Sequence, residues 1–261
     1  VKSLVGVIHL APLPGSARSA LRAADVARMA AEDARVLAEA GFDLAMIENF
    51  GDTPFFAGAV PRITVSAMTA CAVAVRDAAP SMRLGINVLR NDADAALAIA
   101  AVVGAACVRV NVHAGARVTD QGVVQGDAAA TLRRRRELSA DNVAIWADVD
   151  VKHSAPLAAR PIEEEARDLV DRALADALLV TGSGTGRPVD VAKLEVVRKA
   201  VPSVPVLVAS GAAIDALAAL APWSDGVVVG SALRADGVAG GRIDAERAFR
   251  FARQFREVFR Q

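Results

Sequence analysis

Three stretches of the chain end an apolar run in glycines and small hydroxyl residues: "VTGSGTG" (180–186), "ASGA" (209–212) and "VGSAL" (229–233). Without a Cβ, glycine lets backbone N–H groups approach an anion closely, and neighbouring hydroxyls can donate to the same oxygens. The pattern predicts a phosphate cradle made by Thr181, Gly182, Ser183, Gly184, Thr185, Ser210, Gly211, Gly230 and Ser231. A short helix starting after the third stretch would add its dipole. The spacing is not that of a dinucleotide fingerprint, because Arg187 stands where G-x-G-x-x-G needs its last glycine. No G-K-[ST] is present either, which disfavours a P-loop nucleoside triphosphatase.

A second set of residues is titratable. The chain has three histidines, His9, His113 and His153, each at or just past the end of an apolar run. In "VRVNVH" the residues Arg109, Asn111 and His113 alternate with valines, and in "ADVDVKH" Asp148, Asp150 and Lys152 do. Side chains of a strand point alternately to opposite faces, so each polar set shares one face with about 6.6 Å between successive members. Glu48 and Asn87 have the matching parity on two further runs. Buried charges must pair, which predicts that Arg109 meets Glu48 or Asp148. The candidate catalytic residues are therefore Glu48, Asn111, His113, Asp148, Asp150, Lys152 and His153, flanked by His9, Asp52, Asn87 and Arg109 as substrate-binding groups.

Lys152 stands apart, since the other three lysines, Lys2, Lys193 and Lys199, are expected at the surface. A lysine at an inward strand end could stabilise an oxyanion, transfer a proton or form a Schiff base, and the sequence leaves these open. Glu48, Asp148 and Asp150 could instead hold Mg²⁺ or Mn²⁺, which oxygen ligands suit, although a nearby ammonium opposes it. A divalent cation is the one cofactor these residues suggest.

The elements that must position these groups follow from patterning. Short apolar runs at 4–9, 43–48, 83–88, 107–112, 143–151, 177–180, 206–209 and 226–229 alternate with amphipathic stretches at 25–40, 64–78, 93–103, 127–138, 162–174, 191–200, 213–220 and 245–259. Eight strands, each followed by a helix, in 261 residues predict one α/β domain, a (β/α)₈ barrel, with a doubly wound open sheet as the alternative. Helix-to-strand connections are short, whereas the strand-to-helix segments 11–24, 49–63 and 114–126 are long. In a barrel all of these lie on the C-terminal face, where active sites of this fold are built. Segment 49–63 has the composition of a lid: Phe55 and Phe56 as apolar cover, Asp52 and Pro54 for a turn, Gly51 and Gly58 as hinges.

Composition narrows the partners. Thirty basic and thirty acidic residues give no net field, so nucleic acid is not an expected partner. No apolar run is long enough for a bilayer and no signal-peptide pattern is present, which predicts a cytoplasmic protein without stable membrane insertion. Cys71 and Cys107 are isolated among apolar residues and read as small buried hydrophobes. The run Arg133 to Arg136 has Asp127, Glu137 and Asp141 close by and reads as a solvated helix face. The phenylalanines of "DTPFF" and "AFRFARQFREVF" could support a homo-oligomer, though the second more simply packs as the last barrel helix.

Together, "GVIHLAPLPGS", "IENFGDTPF", "INVLRND", "RVNVH", "ADVDVKH" and "VTGSGTG" resemble the BtpA/SgcQ family over nearly the whole chain. The resemblance implies a TIM barrel related to the phosphate-binding barrels. The family takes its name from biogenesis of photosystem I in cyanobacteria, and members also occur in non-photosynthetic organisms and in sugar-utilisation gene clusters. Two functions are thus expected of such a chain: an enzyme on a phosphorylated small molecule, or an assembly factor for a membrane complex. The inward placement of its rare residues favours the enzyme.

Overall fold

The computed structural model describes residues 2–182, 184 and 188–259. The strands, in chain order, are β1 (Ser3–His9), β2 (Leu44–Glu48), β3 (Arg83–Asn87), β4 (Cys107–Val110), β5 (Ala116–Thr119), β6 (Gly122–Gln125), β7 (Ala144–Val149), β8 (Ser154–Pro156), β9 (Ala177–Val180), β10 (Val206–Val208) and β11 (Gly226–Val229). All but β5, β6 and β8 are parallel and close into an eight-stranded barrel, with β11 pairing back onto β1. The helices are α1 (Ala23–Ala40), α2 (Arg62–Ala78), α3 (Ala93–Val103), α4 (Ala128–Glu137), α5 (Ile162–Arg167), α6 (Val191–Ala200), α7 (Leu217–Leu220) and α8 (Ala245–Phe259).

Local chemistry sets several of these boundaries. The carboxylates of Asp92, Asp127 and Asp190 accept the otherwise orphaned N–H groups of Ala95, Ala130 and Ala192 at the starts of α3, α4 and α6. Gly41 and Gly104 stop α1 and α3 in the left-handed conformation, which a Cβ would strain. Two predicted helices come out shorter. Past Arg167, α5 widens into a π turn (Asp168–Arg172), and α7 is a single turn preceded by a 3₁₀ turn (Ile214–Ala216).

Alternation sorts the strand residues into two cores. Ile8, Ile47, Ile86, Val108, Val110, Ala147 and Val149 face outward and pack with helix residues such as Leu37, Met68, Leu97 and Phe251. Val5, Val7, Leu44, Met46, Cys107, Leu179, Leu207 and Val228 fill the barrel floor. There Gly85 leaves room for a neighbour, since a Cβ on it would lie 2.7 Å from Met46 Cε. One residue pair further along the same inward rows come the polar side chains.

Two departures from the predicted elements shape the mouth of the barrel. Segment 114–126, expected to be a loop, holds the hairpin β5–β6, and β8 pairs with β5 to make a three-stranded antiparallel sheet. The fifth predicted strand, 143–151, ends at Val149, because Asp150 and then His153 take left-handed backbone angles of φ 51° and 56°. That break turns the chain into β8 and ends the two-residue periodicity on which the inward placement of Asp150 depended.

Candidate functional site

The polar layer above the floor starts with a buried ion pair. Arg109 Nε and Nη2 donate to the two carboxylate oxygens of Asp148, both at 2.9 Å, and Asn111 Nδ2 donates to Asp148 Oδ2 at 2.7 Å. Both charges are fully paired, as burial demands. On the neighbouring strands, Asn87 Nδ2 donates to Glu48 Oε2 at 2.7 Å, and Arg109 Nη1 lies 3.9 Å from the same oxygen. Burial would pull the Arg109 guanidinium down, but Asp148 and Glu48 outweigh it and hold its pKa above the ordinary value.

His9, at the end of β1, completes this layer. Its Nδ1 accepts the Gly240 N–H at 3.0 Å, so in the neutral ring the proton sits on Nε2, which lies 3.8 Å from Glu48 Oε1. Burial, with the positive charges of Arg234, Lys152 and Arg109, holds its pKa well below 6.5 and keeps the ring neutral.

Two neighbouring hollows that share part of their lining open above these groups. A narrow cleft is lined by His9, Ser210, Gly211, Gly230 and Ser231 from the ends of β1, β10 and β11. Gly211 has φ 70°, which favours glycine, and a Cβ on Gly230 would stand 3.1 Å from His9 Cε1, a tight fit against that ring. A wider cavity of about 360 Å³ is walled by Phe50, Phe55, Arg90, Asn111, His153 and the tip of the β5–β6 hairpin, Asp120 and Gln121. Glu48, Arg109 and Lys152 line both hollows and so mark their junction.

Lys152 reaches this junction although the strand has ended. Its backbone N–H donates to Thr181 Oγ1 at 3.1 Å and its carbonyl accepts from Arg90, which fixes the turn from both sides. Among the described residues its ammonium has no carboxylate within 4 Å. Burial lowers its pKa, with Glu48 and Asp148 opposing that from further off.

Other candidates lie elsewhere. Asp150, predicted inward beside Asp148, turns aside to Arg117 and to Lys193 Nζ, 2.5 Å away. These two cations overcome the effect of burial and lower its carboxyl pKa. The expected ligand set of Glu48, Asp148 and Asp150 is thereby split, and Lys193 is a partly buried partner of Asp150 rather than a free surface lysine. Among the described residues no three His, Cys, Asp or Glu side chains are grouped to hold a metal ion.

His113, also predicted inward, lies beyond the end of β4, and its Nε2 bonds the carbonyl of Ala173 at 2.9 Å, away from both hollows. Asp52 ties loops together, accepting from Leu13 N at 2.8 Å and from Asn49 Nδ2 at 3.1 Å, and lines neither hollow. Thr181 and Gly182 are buried, with Thr181 bracing the Lys152 turn. The Gly184 carbonyl accepts from Ser210 Oγ at 3.3 Å. Ser183 and Thr185 lie outside the described residues. The expected helix after β11 is a 3₁₀ turn (Ser231–Leu233).

Two arginines matter that the sequence did not single out. Arg234, fully buried, donates to the carbonyls of Val7, Gly230 and Gly240 and so braces the cleft from beneath. Arg90, also buried, lines the wide cavity. Neither has the strand parity that marked the others; their only signal is an arginine inside an otherwise loop-like motif.

The comparisons with known proteins agree with this architecture. Residues 1–257 match the model of a family described as the BtpA family. A photosystem I biogenesis protein from Synechocystis is 42% identical over 95% of this chain and 86% of its own length. An uncharacterized protein from Methanocaldococcus jannaschii is also 42% identical, over 95% of this chain and 92% of its own. Among solved structures, 3-keto-L-gulonate-6-phosphate decarboxylase from Vibrio cholerae superposes with a TM-score of 0.59 at 13% identity, covering 100% of this chain and 98% of that one. That likeness is one of fold, the TIM barrel.

Proposed function

The chain belongs to the BtpA family, and on that premise we propose that it is an enzyme acting on a phosphorylated small molecule held at the C-terminal mouth of the barrel. The observation that carries this reading is Lys152: a half-buried lysine, at the junction of a glycine-lined cleft and a larger cavity, with no carboxylate at ion-pair distance among the described residues. A partly desolvated cation without a counter-ion at hand is destabilised, and an anionic ligand offsets that. The narrow cleft suits a phosphate, since the backbone of Gly211 and Gly230 and the hydroxyl of Ser231 can offer donors there. The wider cavity takes the rest of the molecule. The same fold serves a 6-phosphate substrate in the decarboxylase named above, which is an analogy of fold only.

Lys152 and Glu48 then face the bound molecule from the junction. A lysine with a lowered pKa can give or take a proton, and Glu48, held by Asn87 and approached by the Nε2–H of His9, is the partner group. Lyase, isomerase and hydrolase chemistry remain the reaction classes in view.

A thermal-shift and calorimetric screen of sugar phosphates and nucleotides tests the proposal. The ligands found should lose at least about tenfold in affinity in Lys152→Met and in Gly230→Val, since a buried charged hydrogen bond is worth about 1.5–3 kcal/mol. Lys152→Arg should fold and bind yet lose turnover, because a guanidinium does not release its proton. Unchanged affinity in both of the first two variants would overturn the phosphate site. Full turnover in the arginine variant would remove Lys152 from the mechanism.

The name of the Synechocystis relative favours a second reading, an assembly factor for a membrane complex. Among the described residues no helix is long and apolar enough to cross a membrane. Such a factor would act through its outer surface and would tolerate Lys152→Arg and Lys152→Met alike.

A further inference from the structure

Two residues that line the wide cavity, Arg90 and Asn111, each hold a buried polar atom with no partner among the described residues, Arg90 Nε and Asn111 Oδ1. Arg90 is only 5% exposed. Its guanidinium makes one hydrogen bond there, from Nη2 to the carbonyl of Lys152 at 2.7 Å, and no described carboxylate lies within 4 Å of it. Its place is set by the backbone instead. The Arg90 N–H donates to Phe56 O, and the preceding Leu89 N–H donates to Asn49 Oδ1 at 2.7 Å. The other buried arginines differ, for Arg109 is paired with Asp148, Arg117 with Asp150 and Glu165, and Arg234 bonds backbone carbonyls.

Asn111 presents the opposite need. Its Nδ2 donates to Asp148, and a carboxylate can only accept, so the orientation of the amide is settled and Oδ1 is left requiring a donor. The lining of one cavity therefore includes both a planar cationic fork and an acceptor that needs a donor. A carboxylate with a hydroxyl on the adjacent carbon answers both, whereas a phosphate dianion has no donor to give Asn111.

We infer that Arg90 and Asn111 form a second subsite, which takes the α-hydroxy carboxylate end of a phosphorylated hydroxy acid. Arg90 donates to the carboxylate, and Asn111 Oδ1 accepts from the hydroxyl. This rests on the reading that the glycine cleft holds the phosphate, and it names the substrate class of that same site.

Three probes separate the two ideas: 3-phosphoglycerate, glycerol 3-phosphate, which has a hydroxymethyl group in place of the carboxylate, and glycerate, which lacks the phosphate. Calorimetry on the wild-type protein should show 3-phosphoglycerate binding about tenfold or more tighter than glycerol 3-phosphate. Arg90→Gln should erase that preference while leaving glycerol 3-phosphate affinity in place. Arg90→Lys should restore only part of it, since an ammonium lacks the fork. The wild-type comparison decides the matter even if a variant fails to fold. Glycerol 3-phosphate binding with no added affinity for 3-phosphoglycerate would overturn this inference and leave the phosphate site standing. Arg90-dependent binding of glycerate without glycerol 3-phosphate binding would do the reverse, and no binding of any probe would overturn both.

Discussion

His9 and His113 are held neutral by their surroundings, and this gives the protein a pH dependence of definite sign. Burial is the first cause for each. At His9 the nearby cations Arg234, Lys152 and Arg109 add to it, and at His113 the carbonyl of Ala173 offsets part of it. An unfolded chain takes up these protons near a pKa of about 6.5, while the folded chain takes them up only at lower pH. Stability is therefore full above about pH 6.5 and is lost as pH falls through the folded pKa values. Urea midpoints should drop between about pH 7.5 and pH 5.5, by up to about 1.4 kcal/mol per pH unit for each histidine. The drop should shrink in His113→Gln, which removes one of the two titrations without touching the site. A flat profile in the wild type would show that both rings accept protons in the fold.

At the scale of elements, the site is walled by two loops that differ in how they are held. Segment 49–63 was expected to be a hinged lid, yet its ends and middle are tied down. Asn49 is bonded to Leu89, Phe56 O to Arg90 N, and Val60 N to Asp92. Gly51 is a packing glycine, since a Cβ there would stand 2.4 Å from Pro12 N. Phe55 lines the cavity whereas Phe56 is 56% exposed, so one of the two expected apolar covers serves that purpose. The β5–β6 hairpin instead hangs on Gly126, whose N–H donates to Gly115 O and whose missing Cβ would lie 2.4 Å from the backbone of His113. Gly126→Ala should push the hairpin away from the mouth, costing about 1–3 kcal/mol of stability by overpacking. It should also raise amide exchange across 116–125. An unchanged exchange pattern would show that the hairpin is anchored elsewhere. The arginine run of α4, for its part, is largely occupied by ion pairs of Arg134 with Asp94, Arg135 with Asp176 and Arg136 with Asp141.

For the whole molecule, the decisive contact joins the two ends of the chain. The barrel closes where β1 meets β11, with Ser3 opposite Gly226, and a Cβ on Gly226 would fall 2.1 Å from Ser3 O. The cleft lies at the top of that same seam, formed by His9 on one side and Gly230 and Ser231 on the other. Arg234 crosses it to reach Val7 O at 2.9 Å. Gly226→Ala should therefore weaken the barrel as a unit, lowering the urea midpoint by the equivalent of about 1–3 kcal/mol. It should weaken phosphate-ester binding with it. A variant within about 0.5 kcal/mol of wild type would mean that the seam relaxes locally.

The sequence by itself determined the alternation of eight strands and helices, the inward parity of Glu48, Asn87, Arg109 and Asp148, and the placing of the glycine loops after the last strands. All of these rest on short-range periodicity, and the barrel honours it wherever a strand is continuous. Where a strand ends, parity carries no further. Asp150 left the row because its backbone turns left-handed and Arg117 and Lys193 receive its carboxylate, and His113 left it because β4 stops at Val110. The hairpin at 114–126 was hidden because its strands are four residues each and gain their third partner, β8, from a distant part of the chain. Arg90 and Arg234 were hidden for the same reason. Their partners are backbone carbonyls brought near only by the tertiary fold, across 62 positions for Arg90 and Lys152 and 227 for Arg234 and Val7, and no local pattern records such contacts.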